Sequence, residues 1–132
     1  EAKEKDNMQL FVLTNTTPVL SLFRPAHGAI QLAFSLKEKR YGVLIQTQEN
    51  ENVTAVLAGT VVHVNYEIDN TYTIMVQHAN YLSVYKNMTK TLKAVGDKVQ
   101  AGETLAIMGE LPLWFELWQD GQPVNPEEVI AF

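Results

Sequence analysis

At 132 residues the chain has the length of one domain, and a chain of that size buries about two-thirds of the surface it exposes when unfolded. Ten basic residues against fifteen acidic ones give a net charge of −5. The basic residues are scattered, which excludes a nucleic-acid surface built on clustered Lys and Arg. The absence of cysteine excludes disulfides, thiolate metal sites and a cysteine nucleophile.

The first seven residues, EAKEKDN, are charged and read as a tail, and Met8–Leu13 is a short apolar strand candidate. Residues 1–21 are therefore expected to form a tail and a leading strand. After Arg24-Pro25 a succession of short strands is expected. These are Ala29–Phe34, Gly42–Thr47, two strands within Val53–Glu67 hinged at Gly59, Thr71–His78, Asn80–Asn87, Glu103–Gly109 and Pro112–Trp118. The runs are rich in Val, Ile, Tyr, Thr and Phe, and several alternate apolar with polar residues. Lys37, Lys39 and Arg40, with Glu38 among them, read as a solvated turn. Asp120-Gly121 supplies a hairpin turn, because that pair suits the positive φ angles of type I′. One helical turn is expected over Pro126–Val129. No window carries a 3.6-residue period and no apolar run reaches the roughly 20 residues of a membrane-spanning helix. The fold class is all-β, with strands too short and too many for anything but a sandwich or barrel-like fold. AVLAGTVV and KVQAGETLAIMG each set a glycine between apolar strands, which hints at an internal duplication.

Chemistry is sparse along the chain. A catalytic zinc needs three protein ligands and an open position, yet His27, His63 and His78 form no pair at ligand spacing. None of Ser21, Ser35 and Ser83 lies in a nucleophile elbow. Glu116 stands out, because alternation puts Trp114, Glu116 and Trp118 on one strand face and Phe115 and Leu117 on the other. Two indoles and a carboxylate on one face suit a glycan or peptide groove; the plainer reading is a rim over a core of Phe115 and Leu117.

From Arg24-Pro25 to Phe132, about four-fifths of the chain, the sequence resembles the lysostaphin-type, or LytM-like, zinc metallopeptidases of bacterial cell walls, nearest to the branch common in Bacteroidetes. The resemblance rests on Pro25-Ala-His-Gly28, Lys37-Glu-Lys-Arg-Tyr-Gly-Val-Leu-Ile45, Gly96-Asp97 with Val99-Gln-Ala-Gly102, and Phe115-Glu-Leu-Trp-Gln-Asp-Gly-Gln-Pro-Val-Asn-Pro126. It implies the LytM-like duplicated hybrid (barrel-sandwich) fold over residues 22–132. In active members a His-x-Gly-x-Asp segment gives two zinc ligands, and a His-x-His pair gives the third ligand and a catalytic histidine. By this resemblance Arg40, Leu44 and Trp114 stand at former zinc-ligand positions. Asn87 and Pro112 stand at former catalytic-histidine positions, and the loop before Pro112 is shortened to Gly109-Glu110-Leu111.

Arginine cannot ligate a cation, Leu and Trp offer no suitable lone pair, and Asn does not titrate. The expectation is therefore a domain of the cell envelope, periplasmic or exported, that is not an enzyme, has no cofactor and holds no metal. Its expected partners are a cell-wall hydrolase such as an amidase, which it would activate, another envelope protein, or peptidoglycan. The expected groove comprises Arg40, Tyr41, Trp114, Glu116 and Trp118. The alternative is an active murein metallopeptidase that uses other ligands, His78 with nearby carboxylates among them. A carrier of the biotinyl or lipoyl kind is a weaker reading, since Ala106-Ile107-Met108 is followed by Gly109-Glu110 and no lysine.

Overall fold

Short runs of β-branched and aromatic residues, cut by turns, have one good solution: pairing into an antiparallel sheet with one face buried. The computed structural model describes residues 22–132; the tail and leading strand expected over 1–21 lie outside these. In chain order come β1 (Ala29–Leu32), β2 (Val43–Gln46), β3 (Asn52–Thr54), β4 (Gly59–Tyr66) and β5 (Tyr72–His78). Then follow β6 (Tyr81–Thr91), β7 (Lys98–Val99), β8 (Thr104–Met108), β9 (Leu113–Gln119) and β10 (Gln122–Val124). A 3₁₀ turn at Pro126–Glu128 takes the place of the expected helical turn. Among the described residues there is no α-helix, and the fold is all-β as expected.

The strand order is β1-β2-β9-β6-β5-β4-β7, with β10 on β9 and with β3 and β8 reached through β6. The hub is β6. Its residues 81–86 pair with β9, and its residues 88–91 pair with β8 on the same edge. The change of partner falls at Asn87, whose φ is +82°, a left-handed conformation that Asn adopts more readily than most residues. Its side chain uses the break: Nδ2 donates to the Pro112 carbonyl at 2.9 Å and ties down the β8–β9 connection.

Several boundaries differ from expectation, each for a physical reason. The strand expected to end at Asn87 runs on to Thr91, because β8 takes over where β9 leaves. Gly59 opens β4 instead of hinging two strands; a Cβ there would lie 2.4 Å from the Gln77 carbonyl oxygen, so only glycine lets β4 close onto β5. The β9–β10 hairpin is as expected, with Asp120 and Gly121 at φ +51° and +80° between the partners Gln119 and Gln122.

Alternation builds the core. Val43 and Ile45 of β2, Ile74 and Val76 of β5, Tyr85 of β6, Leu105 and Met108 of β8, and Leu113, Phe115 and Leu117 of β9 are all fully buried. Three polar side chains inside this core, His78, Ser83 and Tyr85, are joined in one chain. His78 Nδ1 lies 2.9 Å from the Ala58 carbonyl and Nε2 lies 2.7 Å from Ser83 Oγ. Ser83 Oγ is 2.8 Å from the Tyr85 hydroxyl, which accepts from Val56 N–H at 3.2 Å. A carbonyl only accepts, so the neutral ring carries its proton on Nδ1. The Ser83 hydroxyl then donates to Nε2, and the Tyr85 hydroxyl donates to Ser83. Each member is satisfied without a net charge.

This chain makes stability depend on pH. Burial pushes the His78 pKa below its usual 6.5, against the opposing pull of the Ala58 carbonyl. The unfolded chain therefore binds the proton more readily than the folded one. The contribution is complete above about pH 6.5 and is lost as pH falls toward the depressed folded value. Urea unfolding at neutral and mildly acidic pH should show this loss, with a slope of at most about 1.4 kcal/mol per pH unit. His78→Gln should flatten the slope in that window; an unchanged slope would remove His78 as its source. Burial also pushes the Tyr85 hydroxyl up to about 12, so it stays a donor at ordinary pH.

Candidate functional site

The alternation that sends Phe115 and Leu117 inward sends Trp114, Glu116 and Trp118 to the opposite face of β9, where all three are half-buried. There the Glu116 carboxylate joins the two indoles. Trp114 Nε1 donates to Oε2 at 2.7 Å, and Trp118 Nε1 donates to Oε1 at 2.9 Å. Hydrogen bonds to an ionised acceptor are among the stronger ones, so each ring is held in one orientation and both carboxylate oxygens are engaged.

Neighbouring strands complete the face. Leu44 on β2 is the direct cross-strand partner of Trp114, and Lys86 on β6 is its partner on the other side. Val84 and Leu82 stand opposite Glu116 and Trp118. The Tyr41 ring lies 6.4 Å from that of Trp118, tilted by 55°. Gly42 passes so closely beneath that a Cβ would lie 2.8 Å from the Trp114 ring and 2.6 Å from the Phe115 carbonyl oxygen. The sequence signalled Gly42 only through the family pattern; the reason for glycine there is this contact.

Of the residues expected in the groove, the structure brings Tyr41, Trp114, Glu116 and Trp118 together. Arg40 is drawn elsewhere, because its Nε donates to the Ala33 carbonyl just past β1, at 2.6 Å, and its backbone closes the turn with Ser35. Asn87 and Pro112 meet each other in a second region. There Asn87 lines a cavity of about 410 Å³ with Glu49, Asp69, Thr71, Glu110 and Leu111 among others. Those residues come from three separate turns, and nothing in their local sequence announces the cavity.

The zinc that the resemblance implies does not fit this chain. Positions 40, 44 and 114 present a guanidinium, an isobutyl group and an indole, none of which offers a lone pair to Zn²⁺. The nearest carboxylate on the face, Glu116, is engaged by the two indoles. Among the described residues no three His, Asp or Glu side chains are grouped so as to hold a metal ion. Both ring nitrogens of His78 are bonded within the core, so it is not free to recruit one.

Comparison with known proteins agrees with this architecture. The murein hydrolase activator EnvC of Escherichia coli (strain K12) is 29% identical over 93 residues, covering 65% of this chain and 22% of EnvC. Csd3 of Helicobacter pylori superposes with a TM-score of 0.77 at 20% identity, covering 86% of this chain and 34% of Csd3. A chain of the SpoIIQ–SpoIIIAH pore-forming complex superposes with a TM-score of 0.74 at 19% identity, covering 86% of this chain and 93% of that one. The chain thus spans about a fifth of EnvC and a third of Csd3, and the likeness to the two structures is one of fold. Residues 38–126, about two-thirds of the sequence, match Peptidase family M23. With its LytM-like fold and this match, the chain belongs to peptidase family M23.

Proposed function

We propose that this chain is a non-catalytic M23 domain of the cell envelope that docks a murein hydrolase, such as an amidase, through the face formed by Leu44, Trp114, Glu116 and Trp118. The observation that carries the reading is the Glu116 carboxylate shared between two indoles, on strands where the family pattern would place zinc ligands. Arg40, Leu44 and Trp114 are then the replaced ligand positions, and Asn87 and Pro112 the replaced catalytic histidines. Asn87 at that position serves the strand break instead of the chemistry. The likeness to a murein hydrolase activator supports a partner of that class and, with it, an exported location. No helix among the described residues is long and apolar enough to cross a membrane.

Half-buried, oriented tryptophans are the residues that most often dominate binding energy at protein interfaces. Trp114→Ala should cost at least about 2 kcal/mol of affinity for the hydrolase, a loss of roughly 30-fold. The test captures envelope hydrolases on the immobilised domain, adds the domain to each one recovered, and measures murein release. Release should rise with the native domain and not with the Trp114 variant. Binding that survives Trp114→Ala and Leu44→Ala would move the docking surface elsewhere. Stoichiometric zinc together with murein digestion by the purified chain would overturn the non-catalytic reading.

A further inference from the structure

One end of the open face closes into a small cavity, which shares Trp118 with the proposed docking face and is otherwise lined by residues outside it. Gln77 pairs with Leu82, and Leu82 with Trp118, so these three side chains stand in a row across β5, β6 and β9. They line a cavity of about 340 Å³ together with Asn80, Asp120 and Gly121, a size within the roughly 300–1,000 Å³ of small-molecule sites. Asn80 comes from the β5–β6 turn and Asp120 and Gly121 from the β9–β10 turn. The Asp120 N–H donates to the Asn80 carbonyl at 3.0 Å, which joins the two turns into one rim.

The bonding around the cavity decides what each lining group can offer. Trp118 Nε1 is spent on Glu116, so the indole contributes its apolar π face. Both amide hydrogens of Gln77 are spent, on the Ala79 carbonyl at 2.7 Å and the Tyr81 carbonyl at 2.8 Å. Its Oε1 is left as an acceptor in a fixed direction. The exposed Asp120 carboxylate adds two more acceptor oxygens, and the exposed Asn80 amide can accept or donate. Among the described residues no Lys or Arg lines the cavity.

An aromatic face with Leu82 beside it, ringed by acceptors, matches a ligand with one C–H-rich face and several hydroxyl donors. An apolar side chain would desolvate Gln77 Oε1 and the Asp120 carboxylate with nothing to donate to them. A phosphate or an acidic sugar would set a negative charge against Asp120 with no cation to offset it. We infer that the Gln77–Asn80–Leu82–Trp118–Asp120 cavity binds a neutral pyranose ring, stacked on Trp118 and held through its hydroxyls by Asp120, Asn80 and Gln77.

Titration of the domain with the N-acetylglucosamine trimer, cellotriose and trigalacturonic acid tests this, read by tryptophan fluorescence and by calorimetry. At least one neutral trisaccharide should bind saturably with a dissociation constant on the order of 1 mM, as suits an open site. The acidic trimer should bind at least about tenfold more weakly. Trp118→Ala should abolish binding. Asp120→Asn keeps the turn, since Asn suits positive φ. It should weaken neutral binding by roughly tenfold, by loss of charge-assisted bonds, and narrow the gap to the acidic trimer. Thermal melts of both variants check that the fold is kept. Absence of saturable binding by both neutral trimers, equal binding of the acidic one, or binding that survives Trp118→Ala would each overturn the assignment.

Discussion

Replacing Phe115 with alanine is expected to lower the unfolding free energy by about 3–5 kcal/mol and the melting temperature by on the order of 10–20 °C. The ring is fully buried and packs against Tyr85 at 5.3 Å between centroids, tilted by 57°. Its strand lies between β2 and β6, and Phe115 pairs with Val43 on one side and Tyr85 on the other. Both neighbours are fully buried and fixed by strand pairing, so they cannot collapse into the space, and the cavity term adds to the lost transfer energy. Phe115→Leu, which keeps most of the volume, should cost less than about 1.5 kcal/mol and gives a folded reference if the alanine variant does not fold. Urea unfolding followed by circular dichroism measures both. A cost below about 1 kcal/mol for the alanine variant would show that β9 is not the centre of the core.

The second large effect concerns metal. The triple variant Arg40→His, Leu44→Asp, Trp114→His is expected to take up one zinc ion per chain, where the native chain takes up none. Positions 44 and 114 are direct cross-strand partners, and such pairs hold their Cβ atoms about 4.5–5.5 Å apart. A carboxylate and an imidazole there can reach one ion at the usual ~2.0–2.2 Å. Removing Trp114 also releases Glu116 Oε2 from its indole donor. Zinc present at about 100 times its dissociation constant should raise the variant's stability by about 2.7 kcal/mol. The native melt should not move. Murein digestion is not expected to return, because neither Asn87 nor Pro112 can exchange a proton with substrate. Metal analysis after dialysis decides the matter: a triple variant with no more zinc than the native chain would withdraw the ligand assignment of positions 40, 44 and 114.

What the sequence made legible follows physical range. The face of β9 was readable because a period of two within seven residues is a local signal, and it separated Phe115 and Leu117 from the tryptophans correctly. Asp120-Gly121 was readable because positive φ is a property of those residues themselves. The run of β6 past Asn87 was not readable, because it depends on β8 arriving on the edge that β9 vacates. The two-residue β7 is too short to carry a pattern and exists through its pairing with Gly59 and Thr60. The Glu116 carboxylate between its indoles was legible only as a shared face. The approach of Tyr41 to Trp118 and both cavities depend on residues far apart along the chain, and the bond from Arg40 back to Ala33, seven positions earlier, belongs to a turn that carries no periodic signal. The resemblance to M23 peptidases pointed to the positions proposed as altered, but it gave no hint that the Asn87 side chain would bond to the Pro112 carbonyl.

The position of β9 in the sheet also bears on how the chain reaches its fold. β2 and β9 are neighbours although Val43 and Phe115 are more than seventy positions apart, and the long strand β6 lacks one of its edges until β8 and β9 arrive. Such distant pairings are entropically slow to close and leave strand edges bare while they wait. A chain emerging from its N-terminus can form the β4–β5–β6 meander early from local contacts. It cannot bury Val43, Tyr85 and Leu113 together until its last quarter has been delivered. The strand that carries the two tryptophans is therefore also the closing strand, and the proposed docking face comes into being in the same event that seals the core.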